Sequence, residues 1–149
     1  MMVEADYEDL LRSFNKHKVK FCIVGAYALA FHAQPRYTKD MDILIEATKE
    51  NGAKIIKALK DFGFGSLKLS ANDFTKEKQV LQLGYEPVRI DLITSAEGCT
   101  FKEIWQHKKP GKYGKTKVYF IGRNELIKNK KALGRLQDKA DLELLRKKK

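Results

Sequence analysis

Positions 36–45 read RYTKDMDILI, with two carboxylates one residue apart at the entrance to an apolar run, behind Arg36 and Lys39. Side chains of an extended chain alternate between faces, so Asp40 and Asp42 point the same way, about 6 to 7 Å apart. Like charges so placed raise each other's pKa unless a cation lies between them. A lysine or arginine there would make the pair structural; a divalent cation would make it chemical. Asp91, in VRIDLIT, poses the same question. It shares a strand face with Arg89 and Ile93, and an acid inside a strand is disfavoured unless a cation meets it. Arg89 is one such cation. If that strand lies beside the one that carries Asp40, three aspartates converge on a hard-oxygen site suited to Mg²⁺ or Mn²⁺.

The elements that must position these acids are legible from periodicity. Apolar residues Tyr7, Leu10, Leu11 and Phe14 predict a helix over 7–15, and VKFCIV at 19–24 a strand ending at Gly25. Residues 26–32, rich in alanine, predict a short buried helix that Pro35 stops. A strand over 41–45 and an amphipathic helix over 48–62 follow, the latter with Ile55, Ile56, Leu59 and Phe62 on one face. Residues 62–66 (FGFGS) read as a turn. Residues 79–83 and 88–93 read as two strands joined hairpin-fashion through GYEP. A helix over 101–107, a strand over 117–121 and helices over 123–131 and 135–145, broken near Gly134, complete the chain. The order predicts an α+β fold: a mixed, largely antiparallel sheet with helices packed on one side. With no repeat or linker, residues 1–149 read as one domain, closed by C-terminal helices at 123–146 and a basic tail at 147–149.

Composition bounds the partners. The 149 residues are 43% hydrophobic and 33% charged, as in a globular protein. No apolar run approaches the roughly 18 residues of a membrane span, and the acidic start MMVEADYEDLL is unlike a signal or transit peptide, so a cytoplasmic chain with no membrane partner is expected. Cys22 and Cys99 read as reduced thiols, and the separated His17, His32 and His107 argue against zinc. Lysine and arginine number 30 against 19 acids, a net charge of +11 that attracts polyanions such as nucleoside triphosphates or RNA. For the tail at 146–149, a lysine-rich surface that only confers solubility is the better account.

The run IVGAYALAFHAQPRYTKDMDILI resembles the minimal nucleotidyltransferases of the DNA polymerase beta-like superfamily. Their pattern is a strand, Gly followed by Gly or Ser, a helix, an Asp-x-Asp pair opening the next strand, and a third Asp on a later strand. Here Gly25 opens the pattern, thirteen residues separate Ala26 from Asp40, and Asp91 stands at the third position. FGFGSLKLSANDF, LGYEPVRIDLITSAEGCTFKEIW and LIKNKKALGRLQDKADLELL extend the resemblance over most of the chain from Phe21. Asp-x-Asp alone is a weak signal; combined with the Gly-Ala turn, the later Asp and the tail it is fairly specific.

The resemblance implies a polymerase-beta-like fold and an enzyme that moves an NMP, ATP being one NTP donor, to a hydroxyl acceptor. Asp40 and Asp42 would hold two Mg²⁺ or Mn²⁺ ions, and Asp91 would complete the ion at the acceptor and take its proton. Gly25 and Ala26 would face the phosphates, Ala26 in place of Ser or Gly implying weaker triphosphate binding at most. Arg36 and Lys39 would meet the triphosphate, with Arg36 as a counter-ion of Asp40 the alternative. Lys128, Lys131 and Arg135 would share a helical face if the helix ran past Gly134, and of these Lys131 is assigned to the β,γ-phosphates. RNA or a tRNA end, a small molecule and a partner protein in a toxin–antitoxin pair are the acceptors that relatives suggest. A non-catalytic, antitoxin-like or nucleic-acid-binding partner with the same fold is the alternative function. Asp138 and Asp141 read as salt-bridge partners of Arg135 or Lys139. His32, Tyr27, Phe101 and Trp105 read as packing residues, and Tyr113, between Gly111 and Gly114, as a loop tip near an acceptor.

Overall fold

The computed structural model describes residues 4–38, 40–63, 68–85 and 88–148. Lys39, residues 64–66 of the expected turn, Glu86 and Pro87 of the expected hairpin, and Lys149 lie outside them.

Six strands form one sheet in the order β3-β4-β2-β1-β6-β5. The central three arise as the apolar runs require: β1 (Phe21–Val24), β2 (Asp40–Ile45) and β4 (Val88–Ile93). β1 runs antiparallel to β2, whereas β2 runs parallel to β4. β3 (Val80–Tyr85) pairs antiparallel with β4 at one edge, as the hairpin reading expects. β6 (Thr116–Phe120) lies parallel to β1 and carries β5 (Lys109–Tyr113) at the other edge. The sheet is therefore mixed, with three antiparallel and two parallel junctions.

Helix α1 (Ala5–Lys16) buries Tyr7, Leu10, Leu11 and Phe14, and Phe14 meets Phe21 edge-on at 5.4 Å. Helix α3 (Lys49–Phe62) packs against α1 and begins where the Thr48 hydroxyl accepts a hydrogen bond from the Asn51 N–H at 3.1 Å. Met41, Ile43, Ile45, Ile90 and Leu92 fill the sheet face beneath, each almost fully buried. The opposite face, carried by the alternate residues, is left for Asp40, Asp42, Arg89 and Asp91. Helices α2 (Gly25–His32), α4 (Phe101–His107), α5 (Arg123–Leu133) and α6 (Leu136–Lys147) complete the chain. Among the described residues, no helix is long and apolar enough to cross a membrane.

Two expectations change. KPGKY, read as a loop, is β5: Pro110 and Gly111 signal a turn locally, but an edge strand tolerates proline. Tyr113 is thus no loop tip. It is 2% exposed, its hydroxyl accepts the Glu4 N–H at 2.7 Å, and its ring packs against Tyr7 and Tyr27. Ile104 is the core residue of α4, while Phe101 and Trp105 stack on each other at 5.6 Å at the half-buried margin.

Candidate active site

Parallel pairing of β2 with β4 sets Asp42 opposite Asp91 and Asp40 opposite Arg89. Opposed residues on adjacent strands share a face, so the acids are gathered by register, and one oxygen from each of Asp40, Asp42 and Asp91 lies within 4.8 Å of the others. Thr38 fixes the entry to β2, its hydroxyl accepting the Asp40 N–H at 3.1 Å.

Asp42 occupies the centre and is the least compensated of the three. It makes no hydrogen bond or ion pair among the described residues. Burial pushes its carboxyl up to about 7, the charges of Asp40 and Asp91 add to the effect, and Lys130 and Arg135 offset it only in part. Gly25, immediately after β1, presses against it. The Gly25 φ of +66° is left-handed, and a Cβ there would lie 2.5 Å from Asp42 Oδ2. The glycine both turns the chain into α2 and leaves that carboxylate oxygen uncovered.

Arg89 engages the other two acids. Its Nε and Nη2 donate to Asp91 Oδ1 and Oδ2 at 3.0 and 2.9 Å, and its Nε stands 3.3 Å from Asp40 Oδ2. Asp91, itself only 7% exposed, thus has the cation that its burial requires.

A cationic wall faces the acids from the C-terminal helices. Lys130, 2% exposed, donates to Asp141 at 2.8 Å and lies 3.4 Å from Asp138. Arg36 forks onto Asp141 at 2.8 and 3.0 Å, and Arg135 onto Asp138 at 2.6 and 3.2 Å. The Asn129 amide ties α5 to the segment after β4 through the Glu97 carbonyl at 2.8 Å. Val24, Gly25, the three acids and this wall enclose a cleft of about 490 Å³, within the range of roughly 300–1,000 Å³ usual for small-ligand sites.

The structure relocates several expected roles. Gly25, Ala26, Asp40, Asp42, Asp91 and Arg36 line the cleft, whereas Lys131 is exposed and does not. Gly134, at φ +63°, ends α5, so Lys128, Lys131 and Arg135 share no continuous helical face. Lys128 instead pairs with Glu103 at 3.4 Å. The inward lysine is Lys130. The signal was available, since Lys130 falls four residues after the buried Leu126 and so on the packed side of the helix. Asp138 pairs with Arg135 as expected, but Asp141 takes Arg36 and Lys130 rather than Arg135 or Lys139. Tyr27 packs against Tyr7 and Tyr113, and His32 Nε2 lies 2.6 Å from the Ile121 carbonyl; both serve packing. Both cysteines are free thiols, and burial pushes that of Cys22 up to about 12.

No protein-family profile and no curated protein sequence matches the chain. Its three-dimensional arrangement does have relatives. It superposes on the lincosamide antibiotic adenylyltransferase LnuA, in its lincomycin-bound form, with a TM-score of 0.60 over 97% of each chain at 16% identity. It also matches a protein of Thermotoga maritima described as a nucleotidyltransferase, with a TM-score of 0.58 over 98% of this chain and 94% of the other at 13% identity. At such identities the likeness concerns the path of the backbone. The fold of the chain is that of the nucleotidyltransferases.

Proposed function

We propose that the protein is a divalent-metal-dependent nucleotidyltransferase that moves an NMP from an NTP to a hydroxyl acceptor. The observation that carries the reading is Asp42, only partly offset by cations and gathered with Asp40 and Asp91 against a bare glycine turn. Three carboxylates with oxygens that close fit a hard cation such as Mg²⁺ or Mn²⁺, and the charges of Asp40 and Asp91 add to the rise that burial gives the Asp42 carboxyl. Divalent ions there would offset charge on the attacking and leaving oxygens of an in-line displacement.

The chain's own residues divide the remaining work. Asp40 and Asp42 hold the ions, while Asp91 completes the acceptor-side site and takes the acceptor's proton. The acceptor oxygen bonds to the α-phosphorus, the bond from that phosphorus to the bridging oxygen breaks, and pyrophosphate leaves. Gly25 and Ala26 offer the unpaired backbone N–H groups that begin α2 to the phosphates. Arg36, Lys130 and Arg135 supply the facing positive charge, and Lys39, outside the described residues, is assigned to the triphosphate from the sequence alone.

For the acceptor we favour an RNA end in the cytoplasm, as in a toxin–antitoxin pair, because the chain carries a net charge of +11. A small hydroxylated molecule, such as the antibiotic that LnuA modifies, is the other outcome to test. The assay incubates the protein with Mg²⁺ or Mn²⁺ and radiolabelled NTPs, offering RNA, proteins or lincosamide- and aminoglycoside-like compounds. Label transfer is expected, and Asp40→Ala with Asp42→Ala is expected to abolish it; transfer that survives the double change removes these acids from the mechanism. Binding to RNA should weaken steeply with salt, which a small neutral acceptor would not show. The Arg89 ion pairs favour one second reading, a non-catalytic binding partner, which predicts no labelled product with any acceptor.

A further inference from the structure

We propose that Arg89 is an exchangeable counter-ion of the acid triad, bound to Asp91 and Asp40 until a divalent ion displaces its side chain across Gly84. The inference rests on the metal-binding reading above. Arg89 holds both oxygens of Asp91 and approaches Asp40, so it sits where an ion joining those two acids would sit. Each carboxylate oxygen keeps a second lone pair, so geometry alone does not bar coordination. Charge does: a guanidinium at 2.9 to 3.3 Å from the ligand oxygens repels a dication placed on the same atoms.

The guanidinium has somewhere to go. On β3 the residue opposite Arg89 is Gly84, which raises no side chain on that part of the sheet. The Arg89 side chain is already 29% exposed, while its backbone is pinned by the Tyr7 hydroxyl, which donates to the Arg89 carbonyl at 2.8 Å. Exchange therefore needs no movement of the strand.

Calorimetric titration with Mn²⁺ and no nucleotide tests this, comparing the wild type with Arg89→Gln and Asp42→Asn. Arg89→Gln is expected to bind Mn²⁺ at least about ten-fold more tightly, the scale of one charge-assisted hydrogen-bonding contact. Equal or weaker affinity overturns the inference, because it means that the guanidinium coexists with the metal or helps to hold it. Asp42→Asn separates the two claims. If it leaves wild-type Mn²⁺ binding unchanged, the metal-binding reading fails; if it abolishes binding while Arg89→Gln gains nothing, only the role of Arg89 fails. Should Arg89→Gln not fold, Arg89→Met decides. Methionine keeps an unbranched side chain without the charge, so tighter Mn²⁺ binding than in the wild type supports exchange and unchanged binding refutes it.

Discussion

Two groups of aspartates feel the charge of Lys130, and opposite things have been done with them. On α6, Asp138 and Asp141 are fully buried, yet each is matched. Burial pushes Asp138 up, but the Arg135 hydrogen bonds and the Lys130 charge outweigh it and hold the carboxyl below its usual range. Burial acts on Asp141 in the same way and is outweighed by Arg36 and Lys130. On β2, Asp42 retains more contact with solvent and still titrates near 7, because burial raises it, Asp40 and Asp91 add to the rise, and no hydrogen bond or ion pair among the described residues outweighs them. Partner arithmetic, more than depth, separates an acid that holds a fold together from one poised to take a ligand.

The largest effect expected from this contrast comes from deleting one member of each group. Asp141→Ala strands Lys130 and Arg36 beside a buried gap and should cost about 3–5 kcal/mol in chemical denaturation. Asp42→Ala, in metal-free buffer at pH 8, should cost far less, since it relieves repulsion. Equal losses in the two variants would erase the distinction. Next in size, Gly25→Ala forces a left-handed alanine whose Cβ meets Asp42 Oδ2. A stability loss of about 1–3 kcal/mol, together with weaker Mn²⁺ binding in a titration, is expected. A variant that binds Mn²⁺ normally would show that the close approach has no part in the site.

The smallest effect concerns pH. The folded-state pKa of Asp42 lies above its unfolded value, so the relative stability is complete below about pH 4 and is lost as pH rises through about 7. Without metal, the thermal midpoint of the wild type should therefore fall relative to Asp42→Asn between those limits and run parallel above them. Scanning calorimetry across pH 4 to 9 reads the gap; a gap that stays constant would mean that Asp42 is compensated after all.

How far the sequence discloses this arrangement depends on distance along the chain. Alternation places Asp40 and Asp42 on one face from ten residues of text, and a helical stripe brings Tyr7, Leu10, Leu11 and Phe14 to the core. The third acid is visible as an anomaly within its own strand. That Asp91 stands beside Asp42 is a fact of the β2–β4 pairing, between segments far apart in the chain and joined in parallel, which no local period encodes. Arg89 could be named as a cation for Asp91, but its reach to Asp40 depends on the same pairing. Lys131 and Tyr113 depart from expectation in another way. The lysine that lines the cleft stands one residue earlier in the helix, and the flanking Gly111 and Gly114 suggest a loop where an edge strand runs.

The turn at Gly25 has a further consequence. With no carbon between the peptide there and the Asp42 oxygen, the first coil of α2 and the acid behave as one composite surface, barely an atom's width across. A cation seated on the carboxylate and an anion resting on the amides would touch each other. On the proposed function, a glycine there would bring salt and substrate together as neighbours.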